Sequence, residues 1–203
     1  MNSKNLCTIY LVRHGQTEWN VKGLVQGHTD SALTLEGQKQ ASGLAKELKH
    51  IEFDVIFSSD LLRAKRTAEI VALEHKLAVE TTKALRERNY GTLEGKPSEE
   101  LKILHDLREK ANKSAYKSLG IESDDEMISR LITFLREIAV AYLGKTVLVI
   151  SHGGMMRNLL VHLGAGTHAD LPAKSVANTA YIKLTSDGVD FFIKETKGIN
   201  LKS

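Results

Sequence analysis

The chain has 203 residues, 42% of them apolar and 26% charged, with 28 Lys and Arg against 25 Asp and Glu, eight His and one Cys. This composition excludes a disordered or fibrous chain, and the length supplies a core that needs no disulfide or metal staple. A net charge of +3 and an isoelectric point near 8.9 are only mildly basic, so charge alone leaves a phosphorylated small molecule as plausible a partner as a nucleic acid. The polar start from Met1 to Asn5 leads into a short apolar run, and no stretch approaches the ~20 apolar residues of a membrane span. The lone Cys7 suits a reducing compartment. The expectation is one soluble, cytoplasmic domain over residues 1–203, with no membrane partner.

In chain order, residues 8–12 form a β-branched apolar run that stops at Arg13-His14-Gly15, the pattern of a buried strand. Residues 35–48 set Gln38, Ala41, Leu44, Ala45 and Leu48 along one side of a helix. A second strand is predicted at 55–57 and a helix at 61–73, with Ser59-Asp60 expected to cap it. Residues 97–122 are a polar excursion, read as a helical insertion over one edge. Ser123 and Glu126 have the spacing of a capping box, opening a helix through Met127, Leu131, Phe134, Leu135, Ile138 and Tyr142 that ends at Gly144. A third strand at 146–150, a helix at 155–163 and a hairpin at 180–193 complete the pattern. Strands alternating with helices predict an α/β fold, a three-layer α/β/α sandwich whose central sheet is mostly parallel with an antiparallel edge strand.

Two histidines occupy equivalent places. His14 and His152 each follow an apolar strand and precede glycine, where the carboxyl ends of strands in an open α/β sheet form a ligand crevice. Neighbouring strands would bring both imidazoles into that crevice, and nearby helix N-termini would favour an anion. A metal site would need further ligands, but no Asp or Glu accompanies either His at ligand spacing and Arg13 would repel a cation. The expectation is an anion site with no metal.

The run Leu11-Val12-Arg13-His14-Gly15-Gln16-Thr17-Glu18-Trp19-Asn20 resembles the signature of the histidine phosphatase superfamily, phosphoglycerate-mutase-like branch. The resemblance continues in order through Gln26-Gly27-His28-Thr29-Asp30, Leu33-Thr34-Leu35-Glu36-Gly37 and Gln40-Ala41, Ser58-Ser59-Asp60-Leu61-Leu62-Arg63-Ala64 with Thr67-Ala68, Leu85-Arg86-Glu87-Arg88-Asn89-Tyr90-Gly91 with Glu94-Gly95, and Ser151-His152-Gly153-Gly154. Gln16 stands where Glu is frequent in the family and Ala32 where Pro is common.

What the resemblance implies is a phosphohistidine mechanism. His14 would be the nucleophile, with its other ring nitrogen held by a backbone carbonyl. Arg13, Arg63 and His152 would bind the phosphoryl group, the arginines through their planar, always-charged forks. Glu87 would be the general acid and then the base, with Arg86 and Arg88 alternating away from it in an extended segment. Asn20 is a further phosphate-binding candidate, and Gln26, Gly27, Gly153 and Asn178 are substrate-binding candidates. Trp19 is expected to pack beneath the signature loop.

The implied activity is hydrolysis of a small phosphorylated metabolite without a cofactor. In the family, glycolytic mutases carry a longer insertion with additional arginines, whereas residues 97–122 contain only Arg108. A bisphosphoglycerate-dependent mutase is the alternative, and a non-catalytic phospho-ligand module the second. Acids interleaved with bases along the helices argue against a nucleic-acid partner, and a homodimer stays open.

Overall fold

Strand β1 (Cys7–Arg13) runs through the centre of the computed structural model, which describes residues 6–102 and 113–200. Successive side chains of a strand face opposite ways. Cys7, Ile9 and Leu11 enter one hydrophobic core while Tyr10 and Val12 enter a second. That two-sided burial explains why the segment reads as unbroken apolar sequence.

The other strands are β2 (Val55–Ser59), β3 (Val79–Thr82), β4 (Thr146–Ser151), β5 (Val176–Ser186) and β6 (Phe191–Ile199), in the spatial order β3-β2-β4-β1-β5-β6. The pairs β2–β3, β2–β4 and β1–β4 are parallel, and the β5–β6 hairpin adds the antiparallel side. The expected sandwich is therefore what forms. Helices α2 (Leu35–Leu48) and α3 (Leu62–His75) cover one face through Leu44, Leu48, Ala64, Ala68 and Val71. Helices α5 (Asp124–Ala141) and α6 (Gly153–His162) cover the other through Met127, Leu131, Leu135, Met155 and Leu159. Two short helices remain, α1 (Glu18–Lys22) and α4 (Lys113–Ser118).

The Ser123–Glu126 capping box forms as expected, and α2 has its predicted bounds. Helix α3 is capped differently. Its N-cap position is Leu61, which supplies no side-chain cap; the Leu62 N–H donates instead to Asp30 Oδ1 at 2.9 Å. Asp60 is occupied elsewhere, in a two-pronged pair with Arg86 at 2.7 and 2.6 Å. Helix α6 begins two residues before its predicted start, with His152 at the N-cap position. The hairpin expected at 180–193 forms with its turn at 187–190, and its strands extend beyond that range at both ends.

The described part of the insertion sits at the carboxyl ends of the strands. Pro97 bridges to Leu24, Ser98–Lys102 form a 3-10 turn, and Tyr116 and Ile121 close a small cluster with Leu93. Arg108 and the rest of residues 103–112 lie outside the described residues. Among the described residues no helix is long and apolar enough to cross a membrane.

Candidate active site

The register of β1 on β4 ends at Arg13 opposite Ser151, so the chain leaves both strands at His14 and His152 side by side. The two rings lie 5.2 Å apart, centroid to centroid, in an edge-on arrangement. Glycine is needed around them because other groups occupy the space a side chain would take. A Cβ on Gly15 would lie 2.5 Å from the Gly37 carbonyl oxygen. One on Gly153 would lie 3.0 Å from Arg13 Nε, and one on Gly154 would lie 2.6 Å from Glu87 Oε1. The Gly153-Gly154 doublet thus makes room for an arginine and a carboxylate at the start of α6.

His14 is buried, and its Nδ1 lies 2.7 Å from the Gly15 carbonyl oxygen. That contact assigns the proton to Nδ1 and leaves the Nε2 lone pair as the nucleophilic position. Burial, with Arg63 and Arg13 adding repulsion, holds the ring well below the usual histidine range despite the opposing Gly15 bond. His152 is also held well below that range by burial, then by Arg63, His14 and Arg13. Neither nitrogen of the buried His152 ring has a hydrogen-bond partner among the described residues. Buried polar atoms of this kind are rare and point to a ligand or water.

The arginines divide their donors between the fold and the cavity. Arg63 donates from Nη2 to the Gly27 carbonyl at 2.6 Å and from Nη1 to the Thr29 carbonyl at 3.0 Å, while Asp30 lies 3.6 Å away. Burial pushes this guanidinium down to about 10, which leaves it charged at neutral pH. Arg13 donates from Nη1 to the Val176 carbonyl at 2.6 Å, and burial lowers it against the attraction of Glu87. Arg13 Nε and Arg63 Nε are buried with no partner among the described residues.

Glu87 is buried between two backbone donors: Oε1 accepts from the Arg88 N–H at 2.8 Å and Oε2 from the Gly154 N–H at 2.9 Å. Its own carbonyl accepts from Arg130 Nη2 at 3.0 Å and lies 2.9 Å from His28 Nε2. Arg86 turns to Asp60 and Arg88 to Asp124 and the Glu122 carbonyl, so both flanking cations point away from the carboxylate as the alternation predicts.

His152, expected to bind the phosphoryl group, is buried beside His14 and does not border the cavity of about 570 Å³ that opens at this site. Arg13, His14, Asn20, Arg63, Glu87 and Gly153 all line it, and so does Gln26, whose buried Oε1 is unpartnered. Two of the candidates do other work. Gly27 does not line the cavity; it takes a left-handed φ of 57° and presents its carbonyl to Arg63. Asn178 does not line it either, and donates to the His14 carbonyl at 3.1 Å. Trp19 is half-buried and borders the cavity instead of lying wholly beneath the loop. The upper wall carries Leu24, Leu101, Pro172 and Val176, and the charged Glu99, Lys102, Arg157 and Lys174 stand on it as well. No group of three or more His, Cys, Asp or Glu side chains that could hold a metal ion occurs among the described residues.

Sequence reading missed the supports. Thr67 and His28 lie within the resembling blocks but carry no stated role there, although Thr67 follows Arg63 by four residues and so shares its helix face. Arg130 comes from a distant segment, and no local pattern announces it.

The chain is similar to known proteins. The chain is 34% identical over 161 residues, 79% of each chain, to the uncharacterized phosphatase PhoE of Bacillus subtilis (strain 168). It is 33% identical over 182 residues, 86% of this chain and 76% of the relative, to a metal-independent phosphoserine phosphatase of Arabidopsis thaliana. Its structure superposes on a phosphoglycerate mutase from Bacillus anthracis str. Sterne with a TM-score of 0.81 at 27% identity, covering 98% of this chain and 96% of that one. Residues 9–197 match the family model of the histidine phosphatase superfamily, branch 1; with His14, Arg13, Arg63 and Glu87 lining one cavity and His152 packed beside His14, the chain belongs to that superfamily.

Proposed function

We propose that the protein is a phosphomonoester hydrolase acting through a phosphohistidine intermediate. The observation that carries this reading is the Gly15 carbonyl on His14 Nδ1, which leaves Nε2 unprotonated beside two guanidinium groups. Nε2 attacks phosphorus while the bond to the leaving oxygen breaks, and protonated Glu87 gives that oxygen its proton. Glu87 then takes a proton from water as the water oxygen attacks the phosphohistidine, releasing orthophosphate and restoring His14. Arg13, Arg63 and a ring N–H of His152 hold the equatorial oxygens, where phosphoryl transfer concentrates the demand for stabilisation. The upper wall, with its apolar side chains and flanking charges, receives the leaving alcohol of a small phosphorylated metabolite.

Hydrolysis is favoured over transfer between hydroxyls because residues 97–122 hold one arginine, Arg108, and no adjacent arginine pair to grip a second phosphoryl group. The test is incubation with a radiolabelled phosphomonoester without added metal, followed by a rapid quench. A label on wild type that is lost in acid, kept in alkali and absent from His14→Ala is expected. Equal labelling of both would overturn the reading, and turnover that requires bisphosphoglycerate would select the mutase.

A further inference from the structure

The peptide group between His14 and Gly15 is held from both sides. Its carbonyl accepts from Asn178 Nδ2 at 3.1 Å and faces the Thr179 N–H at 3.4 Å. Its N–H donates to Thr67 Oγ1 at 3.0 Å. A peptide group is planar and rigid, so these bonds from β5 and α3 fix one plane. The next carbonyl along the chain, that of Gly15, is the one that takes the His14 Nδ1 proton.

Both supports are built at local cost. Thr67 is fully buried, and its hydroxyl donates to the Arg63 carbonyl at 2.8 Å while accepting from Gly15. On the other side, the pairing of β5 with β6 slips between Val176 and Tyr181, and Thr179 takes a φ of 57°. A left-handed β-branched residue is an outlier, and such strain persists only where its surroundings over-determine it. Here it accompanies the turn that brings Asn178 and the Thr179 N–H onto His14. Asn178 also reaches Asn20 Oδ1 at 3.4 Å, tying the same strand to the start of α1.

We infer that Thr67 and Asn178 are positioning residues for the nucleophile: they clamp the His14–Gly15 peptide so that the Gly15 carbonyl holds the His14 ring in the attacking tautomer and direction. The inference rests on the reading of His14 as the nucleophile. Neither residue lines the cavity, so the clamp acts on turnover and not on phosphate affinity.

The test compares Thr67→Val, Thr67→Ser and Asn178→Ala with wild type. Steady-state hydrolysis of a phosphomonoester gives kcat and KM, and inorganic phosphate serves as a competitive inhibitor. Expected is a ~10- to 100-fold fall in kcat for Thr67→Val and Asn178→Ala, as for other small misplacements of a reacting group. The inhibition constant for phosphate should stay unchanged, and Thr67→Ser should recover wild-type kcat. Nitrogen-15 NMR of the histidine rings adds a readout independent of activity: the His14 Nδ1–H pattern of wild type should give way to mixed tautomers in Asn178→Ala. The inference is overturned by wild-type kcat in both variants, by loss of phosphate affinity in step with kcat, or by an unaltered His14 pattern. Failure of the parent reading looks different. Wild-type activity retained by His14→Ala would remove the nucleophile, while the NMR comparison would still report whether the clamp sets the ring.

Discussion

The Glu87 carboxylate and the Gly154 N–H meet at 2.9 Å on the first turn of α6, and glycine at 154 is what permits it. A Cβ there would stand 2.6 Å from Glu87 Oε1. The side chain can swing away at small energetic cost, so the fold should tolerate Gly154→Ala. Catalysis should not, because the displaced carboxyl no longer meets the leaving oxygen. A fall in kcat of ~100-fold is expected, within the usual contribution of a positioned acid-base group, with the melting temperature little changed. Wild-type kcat in this variant would separate Glu87 from the chemistry.

Much of this site was legible because its chemistry lies in contiguous motifs. Arg13-His14-Gly15 and Ser151-His152-Gly153-Gly154 end apolar strands, and two-sided burial makes such strands easy to recognise. Strand β3 escaped notice because Val79–Thr82 is a short edge strand whose exposed Glu80 and Thr81 give no apolar run. Helix α1 has five residues and no buried side chain, so it has no periodicity to read. The cap of α3 was misassigned for a different reason: Asp30 comes from another segment, and local pattern favours the nearer Ser59 and Asp60. Asn178 lies off the cavity lining because the β5 segment that slips against β6 turns it onto the His14 carbonyl, a register change no local pattern announces.

The pH dependence of stability follows from the two buried imidazoles. Both are held well below the ordinary value of 6.5 in the folded protein, with burial the first cause. On acidification the unfolded chain therefore takes up these protons first, and unfolding is favoured. The stabilisation is fully present above pH 6.5, shrinks as pH falls below it, and is lost as pH passes through the folded values. Urea unfolding should show stability declining already between pH 6.5 and 5. In a His14→Gln, His152→Gln double variant that slope should shrink to the part carried by His75, which burial also lowers. An equally steep slope in the double variant would assign the effect to other groups.

Arg63 should resist replacement by lysine. Two of its nitrogens hold the Gly27 and Thr29 carbonyls, and a third is the unpartnered Nε at the cavity floor. An ammonium group has no fork and cannot reproduce all three. Arg63→Lys should lose ~10²- to 10³-fold in kcat, comparable with removing one preorganised donor. It should also speed amide exchange across residues 26–30. Slow exchange with reduced turnover would confine Arg63 to the phosphoryl group, and a fully active variant would remove it from the site.

The upper wall predicts a preference that the phosphoryl-binding floor cannot supply. Trp19, Leu24, Leu101, Pro172 and Val176 border a cavity of about 570 Å³, far more room than a phosphoryl group needs. Straight-chain primary alkyl phosphates isolate this contribution, because their leaving alkoxides have nearly the same intrinsic reactivity whatever their length. Each methylene that moves from water onto an apolar wall gains up to ~0.8 kcal/mol, so kcat/KM should climb by as much as ~4-fold per carbon until the cavity is filled. The dependence should flatten in Leu24→Asp, which puts a charge on that wall while leaving His14, Arg13 and Glu87 untouched. A flat series in wild type would mean that the alcohol lies along the charged part of the wall, past Arg157 and Lys174, and that the apolar side chains play no part in choosing the substrate.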